Sequence, residues 1–242
     1  MGHRRGAPPA RQPPLRAYEE VLEWIEGQIL GGDLPTGARL PAERDLASQI
    51  GVSRAAVREA IRTLQAQGIV RSAVGAGDTG GTTITAVDGG ALSRMLRLHV
   101  ALGHFPLPHV IEVRITLEQL SARLACERRE DSHLEELNAL VRAMESSQDD
   151  RERFNDLDTR FHVALAAAAG NRLATGTTAA LRESMRLPIL ERFRRTDTWP
   201  ALVPQLVEDH RAILQAVRTQ DAERAASLVA EHIRSAWRVL DG

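Results

Sequence analysis

The sequence contains no lysine: all 31 of its basic residues are arginine. GC-rich coding, as in high-GC bacteria, explains this better than selection for DNA contact, because helices with acidic sides use arginine here as well. Aromatic residues are also scarce, at 3%, so the core must be built from Leu, Val, Ile and Ala. That favours helices over a β-sandwich, since strands prefer β-branched and aromatic side chains. The single cysteine, Cys126, excludes a disulfide within the chain and fits a reducing cytoplasm. No apolar run approaches the ~18 residues of a membrane span. The segment 1–16 is rich in Arg and Pro without an apolar stretch. It reads as a disordered tail, or an arm on the DNA backbone, and not as a signal peptide. A net charge of −1 excludes a nucleoid-type architectural protein, which needs a strongly basic surface.

What is present divides into two parts. An amphipathic helix is expected over 17–30, with Val21, Leu22, Ile25 and Ile29 at helical spacing. After a turn at Leu34-Pro35-Thr36-Gly37, a short helix is expected from Pro41 to Ile50, with Pro in its first turn and Gly51 as its left-handed cap. Ser53 then caps a third helix that ends at Gly68. The β-branched runs 69–74 and 82–85, on either side of the Gly-rich stretch 75–81, read as a hairpin. Helix-turn-helix plus hairpin makes a winged helix-turn-helix over 17–88. From 91 to 242 the pattern is helical throughout, with breaks that predict a bundle of six to seven helices. The fold class is therefore mainly α.

In the helix after Ser53, Val57, Ala60, Ile61 and Leu64 form an apolar face, while Arg54, Arg58 and Arg62 make a separate stripe at i, i+4 and i+8. Between Arg39 and Ser72 six arginines stand against three acids, a local excess of three positive charges on a neutral chain. A helix anchored on one face and carrying long cations on another suits the major groove, where arginine binds the guanine edge through two hydrogen bonds. The segment from Gly75 to Gly80 also matches G-x-G-x-x-G, but β-branched residues follow where a nucleotide-binding loop needs a helix.

Pro41-Ala42-Glu43-Arg44-Asp45-Leu46-Ala47 and Gly51-Val52-Ser53-Arg54-Ala55-Ala56-Val57-Arg58-Glu59-Ala60 resemble the signature of GntR-family regulators. The helical remainder resembles the FCD ligand-binding domain of the FadR-type subfamily, through Glu112-Val113-Arg114 with Glu118, and through Asp158-Thr159-Arg160-Phe161-His162. The resemblance implies a homodimer that binds palindromic operator DNA, with Arg44, Ser53, Arg54, Ala55 and Arg58 at the DNA. It also implies a wing glycine in the minor groove, here assigned to Gly77 in a tip longer than the family's usual one.

Asp158 and His162 lie four apart and so share a helix face. His210 stands in an apolar series with Leu206, Ile213 and Val217, and His232 in another with Leu228, Ala236 and Leu240. A lone inward histidine is usually a hydrogen-bonded core residue. Three histidines and one carboxylate together suit a divalent transition metal, with zinc or nickel favoured over manganese or iron by the three imidazoles. The resemblance implies the same four ligands, and implies that Arg114 holds the carboxylate of a small organic acid effector. The alternative for Arg114 is a surface or interface salt bridge with Glu118, four residues on. A metal-dependent hydrolase or lyase using the Asp/His set is the competing function. It lacks a separate inward carboxylate at suitable spacing to act as general base, and has no use for the N-terminal module.

Overall fold

The computed structural model describes residues 14–73, 81–85 and 90–241. The chain divides into two compact units, 1–91 and 92–242.

The first unit contains α1 (Pro14–Gly31), α2 (Glu43–Ile50), α3 (Arg54–Ala66), β1 (Val70–Ala73) and β2 (Gly81–Ile84). Val21, Ile25, Leu46, Val57 and Leu64 are fully buried and tie the three helices together. α1 starts three residues inside the segment read as tail, because a proline at the first helical position loses no hydrogen bond and has its φ already set. Pro41 lies ahead of α2 rather than in its first turn, and Ala42 is the N-cap. Gly51 closes α2 with φ 83°, and its N–H donates to the Ala47 carbonyl. The Ser53 hydroxyl oxygen accepts from the Ala56 N–H at 3.2 Å and starts α3. β1 and β2 are antiparallel, with Val70 opposite Ile84 and Ala73 opposite Gly81. The turn segment reaches further than its sequence suggests: Arg39 bridges Thr83, and Leu40 N–H donates to Thr82 O at 2.9 Å, extending the sheet beyond the hairpin. A strand follows the Gly-rich stretch, so the nucleotide-loop pattern lacks the helix it needs.

The second unit is α-helical among the described residues: α4 (Gly90–Ala101), α5 (Leu107–Arg128), α6 (Asp131–Glu145), α7 (Arg151–Ala168), α8 (Arg172–Arg195), α9 (Trp199–Arg218) and α10 (Ala222–Asp241). α5 packs on α7, α8, α9 and α10, and α6 on α7 and α9. Three of the eight aromatic residues form one cluster in the unit's core. Phe154 lies edge-on to Trp199 with centroids 5.4 Å apart, and Phe193 packs on the same indole at 4.7 Å. Asn171 caps α8 by accepting from the Leu173 and Ala174 N–H groups. Cys126 is buried in the core between α5 and α9, with its thiol 3.9 Å from Ala216 O.

Candidate functional site

α3 presents its apolar face inward: Val57, Ala60, Ile61 and Leu64 are all buried. Ser53, Arg54, Ala55, Arg58 and Arg62 are exposed along the rest of the helix and its cap, and Arg44 is exposed on α2. Arg44 Nε lies 3.1 Å from Asp45, and Arg62 lies 3.5 Å from Glu59; such exposed pairs are weak and exchange readily. Neither Arg54 nor Arg58 has an acidic partner among the described residues, so both guanidinium groups are available to an anion. Gly77 lies outside the described residues.

In the second unit, Asp158, His162, His210 and His232 are all buried, and one donor atom from each lies within 4.8 Å of the others. Metal bonds of about 2.0–2.2 Å put opposite ligands of one ion about 4 Å apart, close to this span. The three Nε2 atoms face one oxygen: Asp158 Oδ1 is 3.1 Å from His210 Nε2 and 3.7 Å from those of His162 and His232. Each Nδ1 has a different neighbour. His210 Nδ1 donates to the Leu206 carbonyl at 2.6 Å, and His232 Nδ1 to Asp209 Oδ2 at 3.2 Å. His162 Nδ1 lies 2.6 Å from Glu118 Oε2, without the alignment of a directed hydrogen bond.

Protons held on Nδ1 leave the Nε2 lone pairs pointing at a carboxylate oxygen. Burial, then the cation of Arg182, pushes His162 down to about 3, so its ring is neutral. Burial, then the neighbouring His232, also lowers His210. Burial opposes charge on His232 too, but Asp158 and Asp209 together outweigh it and raise that ring. Two of the inward nitrogens, His162 Nε2 and His210 Nε2, are buried without a hydrogen-bond partner among the described residues. Buried lone pairs opposed to a carboxylate repel one another, and a cation removes the repulsion. The residues fit a divalent ion.

Two residues complete the cluster. Arg182 is 1% exposed on α8. It donates through Nη1 to Asp158 Oδ2 at 2.8 Å, and through Nε and Nη2 to the two oxygens of Glu118 at 2.9 and 2.7 Å. Asp158 is thus gripped by one oxygen while the other faces the histidines. Glu118, on α5, also accepts from Arg114 Nε at 2.9 Å. The ion pair with Glu118 that stood as the alternative for Arg114 is present, but it is buried rather than at a surface. Glu118 is also the inward carboxylate that sequence reasoning did not find. Burial opposes its charge, yet Arg182, His162 and Arg114 hold it well below the usual carboxylate range. An acid so strongly ionised is a poor proton acceptor, so its presence does not restore a general base to the site.

A cavity of about 30 Å³ adjoins the cluster, walled on the polar side by Arg114, Asp158, Arg182 and His232. Arg114 makes its one hydrogen bond among the described residues through Nε, which leaves its two Nη groups for a ligand. Arg182 was missed because an arginine in a chain so rich in them reads as surface. A signal was present all the same: Thr178, Leu181, Arg182, Met185 and Ile189 share a helical face, and Arg182 interrupts it as His210 interrupts its own.

Among the described residues, no helix is long and apolar enough to cross a membrane. Residues 17–78 match the gntR family of bacterial regulatory proteins, and residues 109–235 match the FCD domain. The HTH-type transcriptional regulator LutR of Bacillus subtilis is 31% identical, over 88% of this chain and 96% of that protein. The galactonate operon transcriptional repressor of Escherichia coli is 30% identical, over 93% and 97%. A solved GntR structure from Streptococcus agalactiae superimposes with a TM-score of 0.57 at 26% identity, covering 91% of this chain and 99% of that one. With both units matched and relatives aligned over nearly their full length, the chain belongs to the gntR family of bacterial regulatory proteins and is a DNA-binding transcriptional regulator with a C-terminal FCD domain, not an enzyme.

Proposed function

We propose that this protein is a cytoplasmic repressor that binds a palindromic operator as a homodimer and leaves it when a small organic acid binds the FCD unit. The observation that carries the effector half is the set of three inward Nε2 atoms facing Asp158 beside an arginine-walled cavity. Asp158, His162, His210 and His232 would hold a divalent ion, with zinc or nickel favoured by three imidazoles. The ion would supply positive charge toward which a carboxylate oxygen is drawn. Arg114 would add a second, directional contact through its Nη groups. Asp209 and the Leu206 carbonyl hold protons on the far nitrogens of two ligand histidines, which raises the basicity of the ligating ones.

For DNA, Arg54 and Arg58 would read base edges, with Arg44, Ser53 and Ala55 against the backbone or the groove wall. Gly77 would be the wing's contact in the minor groove. Effector binding must differ in strength between the operator-bound and released states, or it shifts nothing.

The test is fluorescence anisotropy with DNA from the protein's own promoter, over a salt series, with and without chelator. Specific binding that falls steeply with salt, and weakens about fivefold or more in Arg54→Ala, supports the reading. Binding to that DNA no tighter than to random duplex refutes the operator assignment for that sequence.

A further inference from the structure

Apart from the charged cluster, the described residues that line the cavity carry no hydroxyl, amide or carboxylate. Beyond Arg114, Asp158, Arg182 and His232, the lining consists of seven apolar residues, among them Ile111, Ile189, Phe193, Leu206, Ile233 and Trp237. Among the described lining residues, only the indole N–H of Trp237 offers a side-chain hydrogen bond there, at the edge of a ring whose face lies 4.7 Å from the guanidinium carbon of Arg192. The polar groups on the charged side are largely committed. Arg182 spans Glu118 and Asp158, and His232 holds Asp209. A ligand that places its carboxylate on the charged side therefore directs the rest of its body into hydrocarbon.

We infer that the effector is a monocarboxylate with a short apolar body, and that the apolar wall excludes polyhydroxylated and dicarboxylic acids. This rests on the reading that the ion and Arg114 hold a carboxylate. A hydroxyl driven against the wall loses its water without gaining a partner, which weakens binding about tenfold or more per stranded hydroxyl. A second carboxylate fares worse, because burying an unpaired charge costs more than burying a neutral polar group. The cavity of about 30 Å³ also limits length, since that volume accommodates only one or two water-sized groups before side chains must shift. Ile189 and Trp237 are the half-buried side chains among the large apolar members of the lining.

The experiment uses three four-carbon acids that differ only away from the carboxylate: butyrate, 3,4-dihydroxybutyrate and succinate. Each is titrated by calorimetry into the full-length zinc-loaded protein. The expected result is that butyrate binds at least tenfold tighter than either of the others. In Ile189→Ser that advantage should shrink, because the new hydroxyl gives a polar ligand a partner. Equal or tighter binding of succinate or dihydroxybutyrate overturns the inference and leaves the carboxylate site intact. An unchanged preference in Ile189→Ser overturns the claim that this wall selects. If none of the acids binds while zinc is retained, the carboxylate reading itself fails, and the inference falls with it.

Discussion

Replacing Arg182 by methionine keeps much of the apolar stem and removes the charge that spans Glu118 and Asp158. Both carboxylates are buried, and three hydrogen bonds of 2.7–2.9 Å disappear together. Removing one partner of a buried ion pair costs about 3–5 kcal/mol, because the remaining charge has no water. Glu118 keeps Arg114 at 2.9 Å, so its share of the loss is smaller than that of Asp158. For a domain of this size, ~2–4 °C of melting temperature per kcal/mol gives a fall of about 6–20 °C in metal-free protein. Zinc supplies Asp158 with a replacement counter-charge, so the fall should be smaller in zinc-loaded protein. By linkage, a smaller fall in zinc means that the variant binds zinc more tightly than the parent, as expected when a cation that competes for Asp158 is removed. Thermal melts followed by circular dichroism, in chelator and in saturating zinc, measure both effects. A variant that melts within about 2 °C of the parent in chelator would refute the claim that Arg182 neutralises buried charge. The same fall with and without zinc would refute the link between Arg182 and the metal site.

Three further outcomes are expected. His210→Ala or His232→Ala should reduce bound ion from about one per chain to a trace, since losing one of three imidazoles leaves too few ligands; elemental analysis of untagged protein checks this, and retained ion refutes the ligand set. Arg54→Ala and Arg58→Ala should each cost about 1–3 kcal/mol of specific DNA binding and relax base preference at one position per half-site; unchanged operator affinity in both, at matched salt, removes base reading from α3. Arg114→Ala should raise the acid concentration needed for operator release by about tenfold or more, and release at the parental concentration would place the carboxylate elsewhere.

Much of the architecture could be read from local signals. Ser53 announces α3 through its capping oxygen, and Gly51 ends α2 because its φ of 83° suits a residue without Cβ. The apolar positions of α3 and of α9 recur at helical spacing, so the inward faces were visible before any packing was known. Asp158 and His162 share a face because they lie four residues apart on α7, and His210 and His232 stand out as polar breaks in apolar series. These are properties of single helices, and the backbone geometry of one helix is enough to decide them.

The pairing between helices was not legible. The sequence places Glu118 beside Arg114 on α5, but only the packing of α5, α7 and α8 brings Arg182 onto both Glu118 and Asp158 and turns a common i, i+4 pair into part of a buried network. Asp209 precedes His210 in the chain yet serves His232, because neighbours in a helix point apart while α9 and α10 pack side by side. Periodicity determines which way a side chain faces. Whether two inward charges meet depends on distances of a few ångströms between helices, which are set by the volumes of all the side chains packed between them.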